Sequence, residues 1–280
     1  MQALIDRCDE GKIAAKIAVV VANVTNAQGL KRAQTAGIPT TVIDHKKYPN
    51  RESFENEITD RLHAKKIEMV CLAGFMRLLT KNFVNQWYNR LINIHPSLLP
   101  KSRGPTPLTY IIDNPENAGV SIHKLTEKLD AGSILIQEKF EVENNETISS
   151  LMVKSQLLAE TLLEELLNNF NELYNNATPQ LEKLASFQSL PPVKRRFVNW
   201  DQNTAQFSHA LRQYGHFGIL ISLDNALYIA NDVEVTTFSH DFTCGSIIFE
   251  DALIKSIAIN DGYVVLSKRS LRLYESRVLN

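Results

Sequence analysis

Two polar side chains at the end of an apolar run could act together on a carbonyl group. Asn93 and His95 lie two residues apart in Leu91–His95, which is predicted to be a strand, so both point to the same side of it. An amide N–H can donate to a developing oxyanion, and the neighbouring imidazole can donate or shuttle a proton. The carboxylate of Asp130, in a tight turn, could orient that imidazole and raise its pKa. These residue types indicate catalysis at a polarised carbonyl.

Each of these residues also has a purely structural explanation. His95 could be a capping or core histidine, because histidine is intermediate in burial. Asp130 could simply form its turn, for which aspartate is favoured. No spacing argument places Asp130 beside His95, so the residues alone leave both explanations open.

Alternating strands and helices are predicted to position these residues. A helical stretch after the first apolar run ends at Gly37, and Phe54, Ile58 and Leu62 recur at helical spacing further on. The pattern predicts an α/β fold with an open, mostly parallel, Rossmann-like sheet, in which ligands bind beyond the carboxyl ends of the strands. The predicted strands of this region lie at 17–24, 40–44, 67–74 and 91–95.

The texture of the chain changes after its first two thirds. An Asn-rich patch followed by prolines predicts a domain boundary. We expect a catalytic domain over 1–175, a linker over 176–198 and a second, smaller β-rich domain over 199–280. The second domain is predicted from short strand-like runs separated by turn residues, at 219–223, 226–229, 246–249, 256–259, 264–266 and 271–274.

Composition excludes several classes of protein. The chain has 280 residues, and its 30 Lys and Arg against 31 Asp and Glu give a formal net charge of -1, so no global field attracts nucleic acid or anionic lipid. Its apolar runs are too short to cross a bilayer, and the first residues carry no signal-peptide pattern. Widely spaced cysteines predict neither a disulfide nor a metal site, hence a reduced, cytoplasmic protein; they are Cys8, Cys71 and Cys244. His123 and the other remaining histidines show no ligand spacing.

Three segments, taken in order, resemble the signature of the folate-dependent N-formyltransferases. They are Ala73–Leu79, Asn93–Pro100 and Leu129–Gly132. The similarity runs from residue 1 to about residue 170 and is strongest to members that formylate phosphoribosylglycinamide. The resemblance implies an enzyme whose catalytic trio is Asn93, His95 and Asp130.

The resemblance also implies a formyl donor, 10-formyltetrahydrofolate, and a direct transfer to an amine without a metal or a covalent enzyme intermediate. A pterin needs an apolar slot, and an arginine can meet the folate's glutamate carboxylate. Without the resemblance, the apolar residues of this set would be ordinary core and its arginines surface charges. The residues implied in folate binding are Arg51, Met76, Arg77, Leu78, Leu79 and Asn93.

The sequence departs from the family pattern at its beginning. In similar enzymes an opening strand and a Gly-rich turn, which cradles the acceptor's phosphate, precede a segment like 1–6. Here no G-x-G pair exists anywhere. Because the lost strand would be central, its absence should leave neighbouring backbone groups unpaired. We expect Met1 to be internal to a longer protein; the alternative is a shortened, inactive folate-binding homologue.

The tail bears on the acceptor. Asn199–Asp201, Gly245–Ile248 and the Arg103-Gly104 pair resemble methionyl-tRNA and amino-sugar formyltransferases. From Pro191 to Asn280, however, nine basic and nine acidic residues give a net charge of zero, whereas a tRNA-binding domain should present clustered cations. The sequence therefore favours phosphoribosylglycinamide, a small amine, over methionyl-tRNA, and leaves an amino-sugar nucleotide open. No membrane partner is expected.

Overall fold

The structure, a computed structural model, describes residues 1–275 and divides into two compact units. Unit 1 comprises Met1–Pro107, Glu116–Glu141 and Val153–Gln188. Unit 2 comprises Leu108–Pro115, Val142–Met152 and the described chain from Ser189 onward. The segment predicted as a linker is thus divided between the units after Gln188. No helix within residues 1–275 has the length and apolar character needed to cross a membrane.

Helices and strands alternate through the first half of the chain, and strands dominate the end. In chain order the elements are α1 (Gln2–Asp9), β1 (Val20–Ala22), α2 (Gln28–Thr35), β2 (Thr40–Val42), α3 (Arg51–Ala64), β3 (Val70–Ala73), α4 (Lys81–Gln86), β4 (Leu91–His95), α5 (Pro107–Ile111), β5 (Gly119–Lys124), β6 (Ile134–Lys139), α6 (Ile148–Asn168), α7 (Phe170–Asn175), α8 (Thr204–Tyr214), β7 (Ile219–Leu223), β8 (Ala226–Ala230), β9 (Val233–Thr237), β10 (Ile247–Glu250), β11 (Ile254–Ile259), β12 (Gly262–Ser267) and β13 (Arg272–Leu273).

The strands of unit 1 form two separate sheets. β1 pairs with β2 in parallel, and a four-stranded sheet has the order β3-β4-β5-β6. Within the four-stranded sheet β3 and β4 run parallel, whereas β5 and β6 add antiparallel strands. The prediction of an α/β fold with a parallel-rich sheet is confirmed, and its helices connect the parallel strands.

The two sheets of unit 1 are not hydrogen-bonded to each other among the described residues. Among the described residues, β1 has no strand partner except β2, and β3 has none except β4. The apolar run predicted as a strand over 17–24 forms only three ladder pairs, Val20 to Ala22 with Thr40 to Val42. The observed strand is therefore shorter than the run, because the ladder with β2 ends after those pairs.

Local signals explain the helices that flank this region. The side chain of Asn50 accepts the Ser53 N–H at 2.8 Å and caps α3, which buries apolar residues at four-residue spacing. α2 ends just before Gly37, whose φ of +68° closes the helix in the left-handed region, as predicted.

Apolar side chains of β4 and β5 are buried on one side of the four-stranded sheet, so the polar side chains between them face the other side. Ile92, Val120 and Ile122 are fully buried with the apolar residues of α6. Because side chains alternate along a strand, their polar neighbours on β4 and β5 point to the opposite face. This alternation turns Asn93 and His95 away from the α6 side.

Unit 2 is rich in β-structure, as predicted, and has a core of its own. Its sheets have the orders β10-β11-β12-β9 and β13-β8-β7. Phe207 of α8 is fully buried with strand residues such as Ile219 and Ile257, and Trp200 stacks on it at 6.1 Å. β9 was not among the predicted strands, because its sequence, VEVTT, carries few apolar residues.

Candidate active site

Strand register brings four polar side chains to one face of the sheet. β4 and β5 pair so that Asn93 lies opposite His123 and His95 lies opposite Ser121. Directly opposite residues of an antiparallel pair point to the same side and stand close together. Two strands that each alternate polar with apolar residues thus build one polar surface.

Asp130 reaches this surface from the turn between β5 and β6. Its Oδ1 accepts from Asn93 Nδ2 at 3.5 Å, and its Oδ2 accepts the Gly104 N–H at 2.8 Å. Oδ2 also lies 3.7 Å from His95 Nδ1. The backbone of Asp130 has a φ of +49°, in the left-handed region that aspartate tolerates in turns. The structure therefore brings together the three side chains that spacing alone could not.

His123 belongs to the same cluster, although its position in the sequence shows no ligand spacing. Its Nδ1 lies 2.7 Å from the Lys124 carbonyl, which can only accept, so Nδ1 carries a hydrogen and donates it. Nε2 lies 3.1 Å from Asn93 Nδ2. Nε2 also lies 3.7 Å from Asp130 Oδ1, and the residue is 1% exposed.

A sequence signal for His123 existed. Ser121 and His123 are polar residues that alternate within the otherwise apolar β5, the pattern that drew attention to Asn93 and His95. A search for this alternation in every predicted buried strand, rather than for ligand spacing, would have found it.

The ring of His95 has one nitrogen engaged and one free to exchange a proton. Nε2 lies 2.8 Å from the carbonyl oxygen of Ser102 and donates to it. Burial lowers the pKa of His95, because removing the imidazolium from water outweighs the attraction of Asp130 and the bond to Ser102. Asp130 does raise this pKa, as expected, but the effect of burial is larger, so the net shift is downward. The neutral ring presents an unprotonated Nδ1 towards Asp130.

The carboxyl group of Asp130 is ionised beside this neutral imidazole. Burial raises the pKa of Asp130, but a hydrogen bond from His123, the attraction of His95 in its protonated form and the Gly104 N–H together lower it. A neutral base and a carboxylate thus share one enclosed site. Such a pair can accept a proton and stabilise the resulting cation.

A cleft opens beside the cluster and contains part of the predicted folate segment. Its lining includes Asn93, His123 and Asp130 on one side and Arg77, Leu78 and Leu79 on another. The loop from Leu125 to Leu129 completes it. Met76, which is 71% exposed, and Arg51, which is exposed at the start of α3, do not line this cleft. Within residues 1–275 no group of three or more His, Cys, Asp or Glu is arranged to hold a metal ion.

Arg77 offers the cleft an unused donor. Its guanidinium lies 5.9 Å from the centre of the Phe54 ring, in the range of a cation–π contact. Its Nε is buried and has no hydrogen-bond partner in the described part of the chain. A buried donor without an acceptor is costly, so an anionic or carbonyl-bearing ligand would be favoured here.

Comparisons with known proteins show what this chain is similar to. Residues 1–167 match the protein family described as Formyl transferase. The phosphoribosylglycinamide formyltransferase of Haemophilus influenzae is 34% identical over 157 residues, which cover 56% of this chain and 74% of that protein. The trifunctional purine biosynthetic protein adenosine-3 of Bos taurus is 40% identical over 158 residues, 56% of this chain and 16% of that protein. The chain thus spans about a sixth of the length of such trifunctional relatives.

Solved structures extend the likeness. A glycinamide ribonucleotide transformylase from Symbiobacterium toebii has a TM-score of 0.58 and 34% identity, covering 61% of this chain and 81% of that one. A HypX variant from Aquifex aeolicus has a TM-score of 0.70, covering 89% of this chain and 43% of that one. Its 16% identity makes this second likeness one of fold alone.

Proposed function

The chain belongs to the formyl transferase family, and on that premise we propose that it transfers a formyl group from 10-formyltetrahydrofolate to the amine of phosphoribosylglycinamide. The observation that carries the proposal is the convergence of three side chains: Asn93 and Asp130 line one cleft, and His95, which does not line it, lies 3.7 Å from Asp130. An amide donor, a neutral imidazole and a carboxylate are the groups that such a transfer requires.

The proposed reaction begins when the uncharged amine attacks the formyl carbon. The formyl oxygen becomes an oxyanion, which accepts from Asn93 Nδ2 in place of the long 3.5 Å contact with Asp130. As the new C–N bond forms, the amine loses a proton to Nδ1 of His95. When the bond from carbon to folate N10 breaks, that proton passes to N10, and tetrahydrofolate leaves.

Asp130 has an electrostatic role in this scheme. A carboxylate oxygen 3.7 Å from Nδ1 stabilises the imidazolium that forms transiently, because opposite charges attract strongly in a buried site. The bond from Nε2 to Ser102 fixes the ring so that Nδ1 is the nitrogen that exchanges the proton. The folate would lie along Met76–Leu79, with Arg51 near its glutamate carboxylate.

Two features support a small amine as the acceptor. The relatives of Haemophilus influenzae and Escherichia coli that match this chain bear the name phosphoribosylglycinamide formyltransferase. Residues 191–280 have a net charge of zero, and neutralising tRNA phosphates requires clustered cations. Methionyl-tRNA and an amino-sugar nucleotide are the competing acceptors, and a non-catalytic folate-binding protein is the alternative from another class.

An acceptor panel tests the proposal. The purified chain is incubated with 10-formyltetrahydrofolate and each of phosphoribosylglycinamide, methionyl-tRNA and several amino-sugar nucleotides, while release of tetrahydrofolate is followed. We expect turnover with phosphoribosylglycinamide. Turnover with another acceptor alone would overturn the choice of substrate, and folate binding without any turnover would favour the non-catalytic alternative.

A further inference from the structure

A segment predicted as linker is attached to the site on both sides. Residues Thr178–Gln188, called the strap below, follow α7 and belong to unit 1. The strap pairs with Ile134 at its start and with Arg103 near its end through single β-bridges. It therefore runs from the strand after the Asp130 turn to the loop that contacts His95.

We propose that Gln180 of the strap is a positioning residue, which holds the Asp130 turn and the loop Pro100–Gly104 in the geometry that formyl transfer needs. This inference rests on the proposed function. Gln180 touches neither His95 nor the Asp130 carboxylate, and it acts through the backbone of the turn and through Arg103.

The side chain of Gln180 uses both ends of its amide. Nε2 donates to the carbonyl oxygens of Asp130 at 2.8 Å and Gly132 at 2.7 Å. Oε1 accepts from Arg103 Nε at 3.1 Å and Nη2 at 2.8 Å. Two acceptors on one end and a guanidinium on the other fix the orientation of this amide.

Arg103 is the other half of the connection. It is 7% exposed, and its guanidinium also donates to Glu182 at 3.1 and 3.2 Å. These bonds lower the pKa of Glu182, chiefly because the carboxylate accepts from Arg103. The backbone of Arg103 donates to Ser186 and accepts from Gln188, at 2.9 and 2.6 Å. The strap is thus hydrogen-bonded to both the side chain and the backbone of Arg103.

The loop Pro100–Gly104 makes one hydrogen bond to His95 and one to Asp130. Ser102 provides the carbonyl that takes the Nε2 hydrogen of His95, and Gly104 provides the N–H that binds Asp130. Gln180 is bonded both to the turn that carries Asp130 and to the loop that orients His95. Loss of its amide would remove this side-chain connection and leave the two parts joined directly, among the described residues, only by the bond from Gly104 to Asp130.

The expected consequence is a loss of rate rather than of affinity. A displacement of about 1 Å in a reacting group can cost on the order of 100-fold in rate. Gln180 contributes no lining side chain to the cleft beside Asn93 and Asp130, where the proposed function places the reacting groups. We therefore expect kcat to fall about 10- to 100-fold in Gln180→Leu, with KM values within about threefold of wild type.

The test compares two glutamines, Gln180, which is half-buried, and Gln213, which is buried, that each donate two hydrogen bonds. Gln180→Leu removes the connection, and Gln180→Glu keeps an acceptor for Arg103 but loses both donors to the turn. Gln213→Leu is the matched control, because Gln213 Nε2 donates to the Thr109 carbonyl and to Asp113 in unit 2, at 2.9 and 2.6 Å. Steady-state kinetics and hydrogen exchange of the Gly104 amide, which donates to Asp130, are measured for all of them.

We expect kcat to fall in both Gln180 variants and the Gly104 amide to exchange at least about tenfold faster, since each variant loses the two hydrogen bonds that Gln180 donates to the turn. Gln213→Leu should change neither. Wild-type kcat in Gln180→Leu, unaltered Gly104 exchange, or an equal loss in Gln213→Leu would each overturn the inference. If the wild-type chain transfers no formyl group, the proposed function fails, and the exchange comparison still decides whether Gln180 orders the site.

Discussion

Each unit contains a pair of histidine and aspartate that invites comparison, and the shorter of these two pairs is the less enclosed. In unit 2, His209 Nε2 lies 3.0 Å from Asp113 Oδ1, with side chains 42% and 47% exposed. In unit 1, His95 and Asp130 lie 3.7 Å apart, with side chains 5% and 9% exposed. A ranking by distance alone would select the pair in unit 2.

The two pairs differ in importance because of their burial and hydrogen bonds, not because of the distance between ring and carboxylate. Asp130 is held by a backbone N–H and by Asn93, and the pKa of His95 and that of Asp130 are both lowered. The field of a charge is strong where water is excluded, so the buried pair can influence a reacting proton. An exposed pair contributes about 0 to 1 kcal/mol to stability and little to chemistry.

Replacing the histidine of each pair with alanine should give the largest difference in kcat between the two pairs. We expect His95→Ala to lower kcat about 100- to 10,000-fold, because a positioned acid–base group contributes that much. His209→Ala should leave kcat within about twofold of wild type, since an exposed pair adds little. Steady-state assays of tetrahydrofolate release measure both. Wild-type turnover in His95→Ala would remove His95 from the mechanism.

The backbone donor to Asp130 gives a smaller effect. Gly104 has a φ of +109°, and a Cβ there would lie 2.3 Å from the carbonyl oxygen of Gln188. We expect Gly104→Ala to lower the free energy of unfolding by about 3 kcal/mol or more, since strain and overlap add. Gly37→Ala is the control, because its φ is +68° but nothing lies within 4 Å, so about 1 kcal/mol is expected.

Urea unfolding monitored by Trp87, in a Trp200→Phe background, measures these two losses. Equal losses of unfolding free energy in Gly104→Ala and Gly37→Ala would show that the strap is not packed too closely on Gly104 to admit a Cβ.

The smallest expected effect is a fall in the free energy of unfolding as the pH is lowered. The folded chain keeps His95 neutral below the usual histidine pKa of about 6.5, whereas the unfolded chain takes up a proton there. The unfolded state then binds more protons, so the free energy of unfolding falls as pH drops below about 6.5. The lowered pKa of Asp130 adds a second fall that begins near pH 3.9.

Urea unfolding at several pH values between 7.5 and 5 checks the upper window. His95→Gln should show a shallower fall than wild type, because its side chain does not titrate. Identical slopes in the two proteins would contradict the assignment of a lowered pKa to His95.

The sequence predicted the parts of this site that depend on local pattern. β4 occupies the predicted 91–95, and alternation correctly put Asn93 and His95 on one face. The position of Asp130 depends on a turn with positive φ and on contacts to residues far away in sequence, which spacing does not encode. Resemblance supplied that step.

Two further participants escaped prediction for physical reasons. His123 acquires its place only through the register of β4 and β5, and register is unknown until the strands pair. Gln180 lies in a segment of loop composition, and its contacts to carbonyl groups leave no periodic trace in the sequence. Loop residues that fix a site are recognised from their bonds, not from their pattern.

The two-stranded β1–β2 ribbon has a consequence for motion. It contains three residues in each strand and joins no other strand among residues 1–275, so few cooperative bonds resist its separation. Its amides should belong to the earliest-opening part of unit 1, while β4 and β5, paired on both edges, open last. Asn93, His95 and His123 lie on β4 and β5, so we expect them to keep their alignment while β1 and β2 separate.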